Sequence, residues 1–84
     1  MTYPIPFDNY INITLPDSYT EDVIYIRIFD LNGKVVYNEK HSVENNNLTI
    51  SNLSKYSDGN YYMNLLDSHQ NVIQSKHILK KSKY

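Results

Sequence analysis

The sequence predicts an all-β domain folded as an antiparallel β-sandwich, and three observations carry that prediction. The 84-residue chain holds nine tyrosines but no cysteine and no tryptophan. Together with its many Ile and Val residues and the lack of any Ala, this suits a pleated, half-buried surface better than a helix. Apolar residues alternate in short runs separated by Asn, Asp, Ser and Gly, the pattern of strands joined by turns. Residues 23–37 then read as two strands closed by a tight turn.

Each element follows from its residues. Tyr3-Pro4-Ile5-Pro6 is extended, because a residue before proline is pushed out of the helical region, and its prolines confine it to a sheet edge or lead-in. Residues 10–15 form the first clear strand, with Ile11, Ile13 and Leu15 inward and Asn12 and Thr14 outward. A polar loop over residues 16–22 leads to a hairpin over residues 23–40. Its first strand turns Ile24, Ile26 and Ile28 to one face. Asn32-Gly33 supplies the positive φ of a type I′ turn, and Val36 returns to the buried side. Residues 41–47 read as loop, ending in three asparagines that favour turns. Leu48 and Ile50 alternate as a short strand, and Leu53 plugs the core. Residues 60–67 place Tyr61, Met63 and Leu65 on one face. In the last strand, residues 72–80, the phase is split, and a bulge near Ser75 would turn apolar residues of both halves inward. The predicted core is Ile11, Ile13, Ile24, Ile26, Ile28, Val36, Ile50, Tyr61, Met63 and Leu65. Six to seven strands at this turn spacing match a single immunoglobulin-like sandwich. It spans residues 1–84, with 81–84 expected as a flexible tail.

Charge and composition exclude several roles. A net charge of −1 gives no global attraction to nucleic acid or to anionic membranes. No stretch approaches the roughly 20 apolar residues needed to span a bilayer, so no direct membrane insertion is expected. Without cysteine, neither disulfides nor thiolate chemistry is available. Residues 1–20 lack the pattern of a signal peptide, so a secreted domain of this kind would rely on an export signal elsewhere in a longer precursor. Charge is nonetheless uneven: Lys76, Lys80, Lys81 and Lys83 crowd the C-terminus, either as a solvated edge that resists aggregation or as a surface that a partner reads.

No catalytic constellation emerges, so the chain is expected not to be an enzyme and to need no cofactor. His41, His69 and His77 fall in different predicted elements without metal-ligand spacing. Asp17, Glu21 and Asp22 lack the dense oxygen pattern of a calcium loop. Gly33-Lys34 closes a hairpin, where a phosphate cradle needs several glycines before a helix. Tyr61 is expected in the core and Tyr62 on a sheet face. What remains is a surface function: strand edges, a basic terminus and exposed tyrosines.

Several short motifs stand in a definite order. Tyr3-Pro4-Ile5-Pro6-Phe7 is similar to a "YPNPF" opening, with Ile5 in place of Asn. Ile26-Arg27-Ile28-Phe29-Asp30-Leu31-Asn32-Gly33-Lys34, followed by Val36, matches a central "IxIxDxxGKxV" hairpin. Residues 48–53 are similar to an "idlsxL" segment, Gly59-Asn60-Tyr61 to a "GxY" strand opening, and Lys76-His77-Ile78-Leu79-Lys80 to a lysine-bearing last strand. Over about 80 residues this set resembles the type A C-terminal sorting domains of the type IX secretion system (Por secretion system), found on secreted cargo proteins of Bacteroidetes. Leu53 and Gly59 stand farther apart here than in many members of that family.

The resemblance implies a non-catalytic address label that directs a larger cargo through the periplasm and the outer-membrane type IX translocon to the cell surface or medium. It implies partners: translocon components, and a sortase-like peptidase of the outer membrane that cuts upstream of Tyr3. The matched motif positions are Tyr3, Pro4, Pro6, Phe7, Asp30, Gly33, Lys34, Gly59, Tyr61, Lys76 and Lys80. An open strand edge would also allow self-association. The alternative is an immunoglobulin-like adhesion or scaffold module of a bacterial surface protein.

Overall fold

The computed structural model describes residues 2–82. Seven strands follow in order: β1 (Thr2–Tyr3), β2 (Ile11–Thr14), β3 (Val23–Phe29), β4 (Val35–Ser42), β5 (Asn47–Ile50), β6 (Gly59–Leu66) and β7 (Val72–Lys80). They form two antiparallel sheets, β1-β2-β5 and β4-β3-β6-β7, with no helix among the described residues. The fourth strand pairs with the third in the four-stranded sheet, and the sheet of β1, β2 and β5 is left with three strands. In the constant-type immunoglobulin arrangement the fourth strand joins the fifth instead.

Alternation builds the core as expected. Ile11, Ile13 and Ile50 of the smaller sheet meet Ile24, Ile26, Ile28, Tyr61, Met63, Leu65 and Ile78 of the larger, all buried. Phe7, Leu15, Tyr19 and Leu53 close the ends from the connecting segments. Each such apolar side chain removed from water contributes roughly 1.5–3 kcal/mol. Three tyrosines pack their rings on the core, Tyr19 and Tyr61 buried and Tyr56 half-buried, and still satisfy their hydroxyls: Tyr19 donates to the Val23 carbonyl, Tyr56 to that of Val36 at 3.0 Å, and Tyr61 to that of Ser57 at 2.7 Å. The last bond reaches back four residues from the start of β6, which is the geometry of the tyrosine corner of immunoglobulin-like sandwiches.

Four expectations are corrected. Val36 is only half-buried against the core. Ile28 pairs with Tyr37 and Phe29 with Val35, so Val36 is the unpaired residue of a bulge and falls out of phase. The turn before β4 is not type I′. Only Gly33 has positive φ there (82°), and Asp30 N–H bonds to Lys34 O at 2.9 Å while Gly33 N–H bonds to Asp30 O at 3.0 Å. That is a three-residue loop, a type I turn followed by a left-handed residue. The paired positive φ of a type I′ turn occurs instead at Asn45 (54°) and Asn46 (61°), and His41 and Ser42, expected in a loop, extend β4. The bulge of β7 is at Ile73, because Leu65 pairs with Gln74 and Leu66 with Val72. Val72 and Ile73 therefore stay exposed.

Candidate recognition surface

The two ends of the described chain meet at one end of the sandwich. Phe7 forms a parallel bridge with Lys80: its N–H bonds to Leu79 O, and its carbonyl accepts from Lys81 N–H, both at 2.9 Å. The Phe7 ring packs edge-on to Tyr61, with centroids 6.5 Å apart. This lead-in is thus a partner of the last strand, and it covers the edge of β7 at residues 79–81.

Lys80 is the buried member of the C-terminal lysines, with no exposed side-chain surface. Its register opposite Gly59 points it to the core side of β7, in phase with Ile78. There Lys80 Nζ lies 3.3 Å from Asp8 Oδ1 and 3.4 Å from Asp58 Oδ1, and donates to Ser82 Oγ at 3.0 Å. Asp58 also accepts from the Ser82 hydroxyl at 2.8 Å and its N–H at 2.9 Å. Those two bonds, and after them Lys80, hold the Asp58 carboxyl below its ordinary value. A charge without water is retained only when paired and hydrogen-bonded, so this cluster is a tie between lead-in, β5–β6 connection and last strand. Ser82, expected in a flexible tail with Lys81, is anchored by it.

The three described lysines of this group, Lys76, Lys80 and Lys81, do not share one setting. Lys76 pairs with Met63 on the core side of β7 but stays exposed at the sheet edge. Lys81 is exposed just beyond the strand, beside an open cleft of about 520 Å³ walled by Pro4, Pro6 and Tyr10. Lys83 lies outside the described residues. Of the other motif positions, Tyr3 is exposed, Pro4 half-buried and Pro6 exposed. Phe7 and Tyr61 are core. The Asp30 carboxylate accepts the N–H groups of Asn32 and Lys34, both at 2.9 Å. Gly59 holds a φ of 146° where β6 opens.

The outward faces of the two sheets differ. On the smaller, Thr49 donates to Asn12 at 2.6 Å and Thr14 to Asn47 at 2.9 Å, a surface of cross-strand pairs. On the larger, the register places Val35, Phe29, Tyr62 and His77 in one row, and Asn38, Arg27, Asn64 and Ser75 in the next. Lys40, Tyr25, Leu66 and Val72 form a third. Tyr62 and His77 lie ring to ring at 5.3 Å.

Charge is distributed by region as well. The loops at the end away from the lead-in carry Asp17, Glu21, Asp22, Glu44 and Asp67. Among the described residues no group of three or more His, Cys, Asp or Glu could hold a metal ion. His41 and Tyr37 form a titratable pair: their rings stack at 6.1 Å and the Tyr37 hydroxyl lies 2.6 Å from His41 Nε2. Burial pushes Tyr37 up to about 12, with Glu39 adding to it. Burial also lowers the His41 imidazole, against the opposing pull of Glu39.

Comparison with known proteins finds one family. The family model described as "Secretion system C-terminal sorting domain" matches residues 1–80. No curated protein and no solved structure matches the chain.

Proposed function

The chain belongs to the secretion system C-terminal sorting domain family, and from that premise we propose that it acts as a folded unit whose lead-in and last strand are presented together to the export machinery. Its role is that of a sorting signal for type IX secretion, which takes a larger cargo to the cell surface or medium. Such a role requires recognition and asks for no chemistry of the domain itself. The finer reading is a type A domain of a Bacteroidetes cargo, bound by outer-membrane translocon components and released by a sortase-like peptidase cutting upstream of Tyr3.

The observation that carries this reading is the family match over residues 1–80. The bridge of Phe7 to Lys80 supports it, since it fixes the chain nearest the cargo junction against the last strand. In this account Lys76, Lys81 and Lys83 steer an acidic partner surface, raising the association rate more than the final affinity, while Lys80 holds the end together from within. The test is a reporter carrying a signal peptide and fused to residues 2–84, expressed in a type IX-competent host and in the same host without its translocon. Export in the first and periplasmic retention in the second is the expected outcome; retention in both overturns the assignment. A Lys76→Gln/Lys81→Gln/Lys83→Gln fusion, with Lys80 kept, should reach the surface more slowly than the parent at low ionic strength, and the difference should shrink at high ionic strength, where steering is screened. An unchanged rate would remove the steering role alone.

A further inference from the structure

We infer that the outward face of the β4-β3-β6-β7 sheet, centred on Tyr62 and Arg27, is the surface on which an acidic protein component of the export machinery docks. The inference rests on the sorting-domain reading and names the surface that reading needs.

Three observations lead to it. The face is aromatic and uncovered: Tyr62 is 49% exposed and Val35 43%, with Phe29 between them in the same row. Its charge has one sign. Among the described residues the outward positions of the four strands carry Arg27 and Lys40 and no carboxylate; the one acidic residue of these strands, Glu39, pairs with Ile26 on the core side. Its polar groups are also biased towards donation. Asn64 and Asn60 have their side-chain oxygens engaged, by Ser75 at 2.8 Å and His77 at 2.9 Å, so what their side chains have left to offer a partner is chiefly the N–H donors of their amides. Arg27 spends one nitrogen on Gln70 at 3.2 Å. A surface of donors and cations around an aromatic centre is complementary to carboxylates around an apolar knob, and Tyr and Arg are the residues that most often carry interface energy.

Strand addition, the other way a sandwich is commonly bound, is discouraged at both edges of this sheet. The edge strand β7 carries a bulge at Ile73 and an inward-pointing Lys76, and its end is occupied by Phe7. The edge strand β4 carries a bulge at Val36 and the charged Glu39 and Lys40. Bulges and inward charges are the devices that keep edges from pairing. The outward face of the smaller sheet has its Asn and Thr side chains bonded to one another.

The test uses the full fusion described above. A photoreactive phenylalanine analogue at position 62 should crosslink to an envelope protein during export, and the same analogue at Thr49 should not. Arg27→Glu/Lys40→Glu should lower surface reporter at least tenfold while the isolated domain keeps its melting transition; Tyr62→Ala should lower it several-fold, and Arg27→Lys should restore parental export. If the parental fusion itself is not exported, the sorting reading fails first. If it is exported and the folded charge-reversed fusion follows at the parental rate, the docking face is wrong. A position-62 adduct containing only a second copy of the domain, or no protein adduct, overturns it equally.

Discussion

Gln70 occupies, in the β6–β7 turn, the position that Gly33 occupies in the β3–β4 turn. Each follows a capping aspartate by three residues, each donates its N–H to that aspartate's carbonyl (2.9 Å to Asp67, 3.0 Å to Asp30), and each has positive φ, 67° and 82°. Asp67 accepts the N–H groups of His69 and Asn71 as Asp30 does those of Asn32 and Lys34. The two hairpins of the larger sheet are closed by the same device.

The left-handed position is therefore a backbone requirement, not a steric one: a Cβ on Gly33 would meet nothing within 4 Å. Gly33→Val should destabilise the domain by more than about 1 kcal/mol, because a β-branched residue at positive φ is strained wherever it has room. Gln70→Gly should leave stability equal or higher, the relief of that strain offsetting the greater freedom of the unfolded chain. Urea midpoints decide the matter, and equal midpoints for parent and Gly33→Val would refute the shared device.

Core burial gives a sharper contrast within one residue type. Ile26 is fully buried between β4 and β6, whereas Ile73 is the exposed extra residue of a bulge. Ile26→Ala should cost about 2–5 kcal/mol, and Ile73→Ala should stay within about 0.5 kcal/mol of the parent. Comparable losses at both sites would mean that β7 is differently phased.

Ile73 also shows where the sequence stops being legible. Period-2 alternation located every strand of the larger sheet and nine of the ten expected core residues, because a half-buried strand imposes that period on its side chains. A bulge breaks the phase by one residue without leaving a composition signal, so Val36 was expected inward and the β7 bulge was misplaced. The turn chemistry was legible at Gly33 but not in type, since Asn32-Gly33 suits both a type I′ turn and the longer loop. At the terminus, charge suggested a solvated cluster. Only the phase of Lys80 with Ile78, and the acids at Asp8 and Asp58, hint that one lysine turns inward. The uniform sign of the outward face needs the cross-strand register, which no single strand reveals.

The buried ammonium makes a further prediction. Removing Asp8 and Asp58 while keeping Lys80 strands a desolvated charge, whereas removing Lys80 leaves two carboxylates that water can reach. Asp8→Asn/Asp58→Asn should therefore lower the melting midpoint more than Lys80→Met. The reverse order would show that Lys80 reaches solvent in solution.

Acid should weaken the fold through His41. Its imidazole is held below the ordinary 6.5 by burial, so between the folded and unfolded values the unfolded chain binds more protons. Stability then rises with pH through that window and falls as the pH drops from about 7 towards 5. The parent should lose more of its melting temperature between those values than His41→Gln, which has no imidazole to charge. Parallel losses would place the acid sensitivity elsewhere.

Tyr61 and Tyr62 are neighbours with opposite duties, and removing only the hydroxyl of each separates them. The Tyr61 hydroxyl donates to Ser57 O at 2.7 Å, while its ring packs with Phe7 and Tyr56. Tyr61→Phe keeps those ring contacts and should cost about 1 kcal/mol for the lost hydrogen bond. Tyr62→Phe changes a half-exposed ring and should cost nothing measurable. The consequence extends one residue further, because Ser57 precedes Asp58, a partner of Lys80. Freeing the Ser57 carbonyl loosens the loop that aims the carboxylate, so Tyr61→Phe and Lys80→Met should combine less than additively, by at least about 0.5 kcal/mol. Strict additivity would mean that the tyrosine corner braces the loop without positioning Asp58, leaving Asp8 and Ser82 as the holders of the buried lysine.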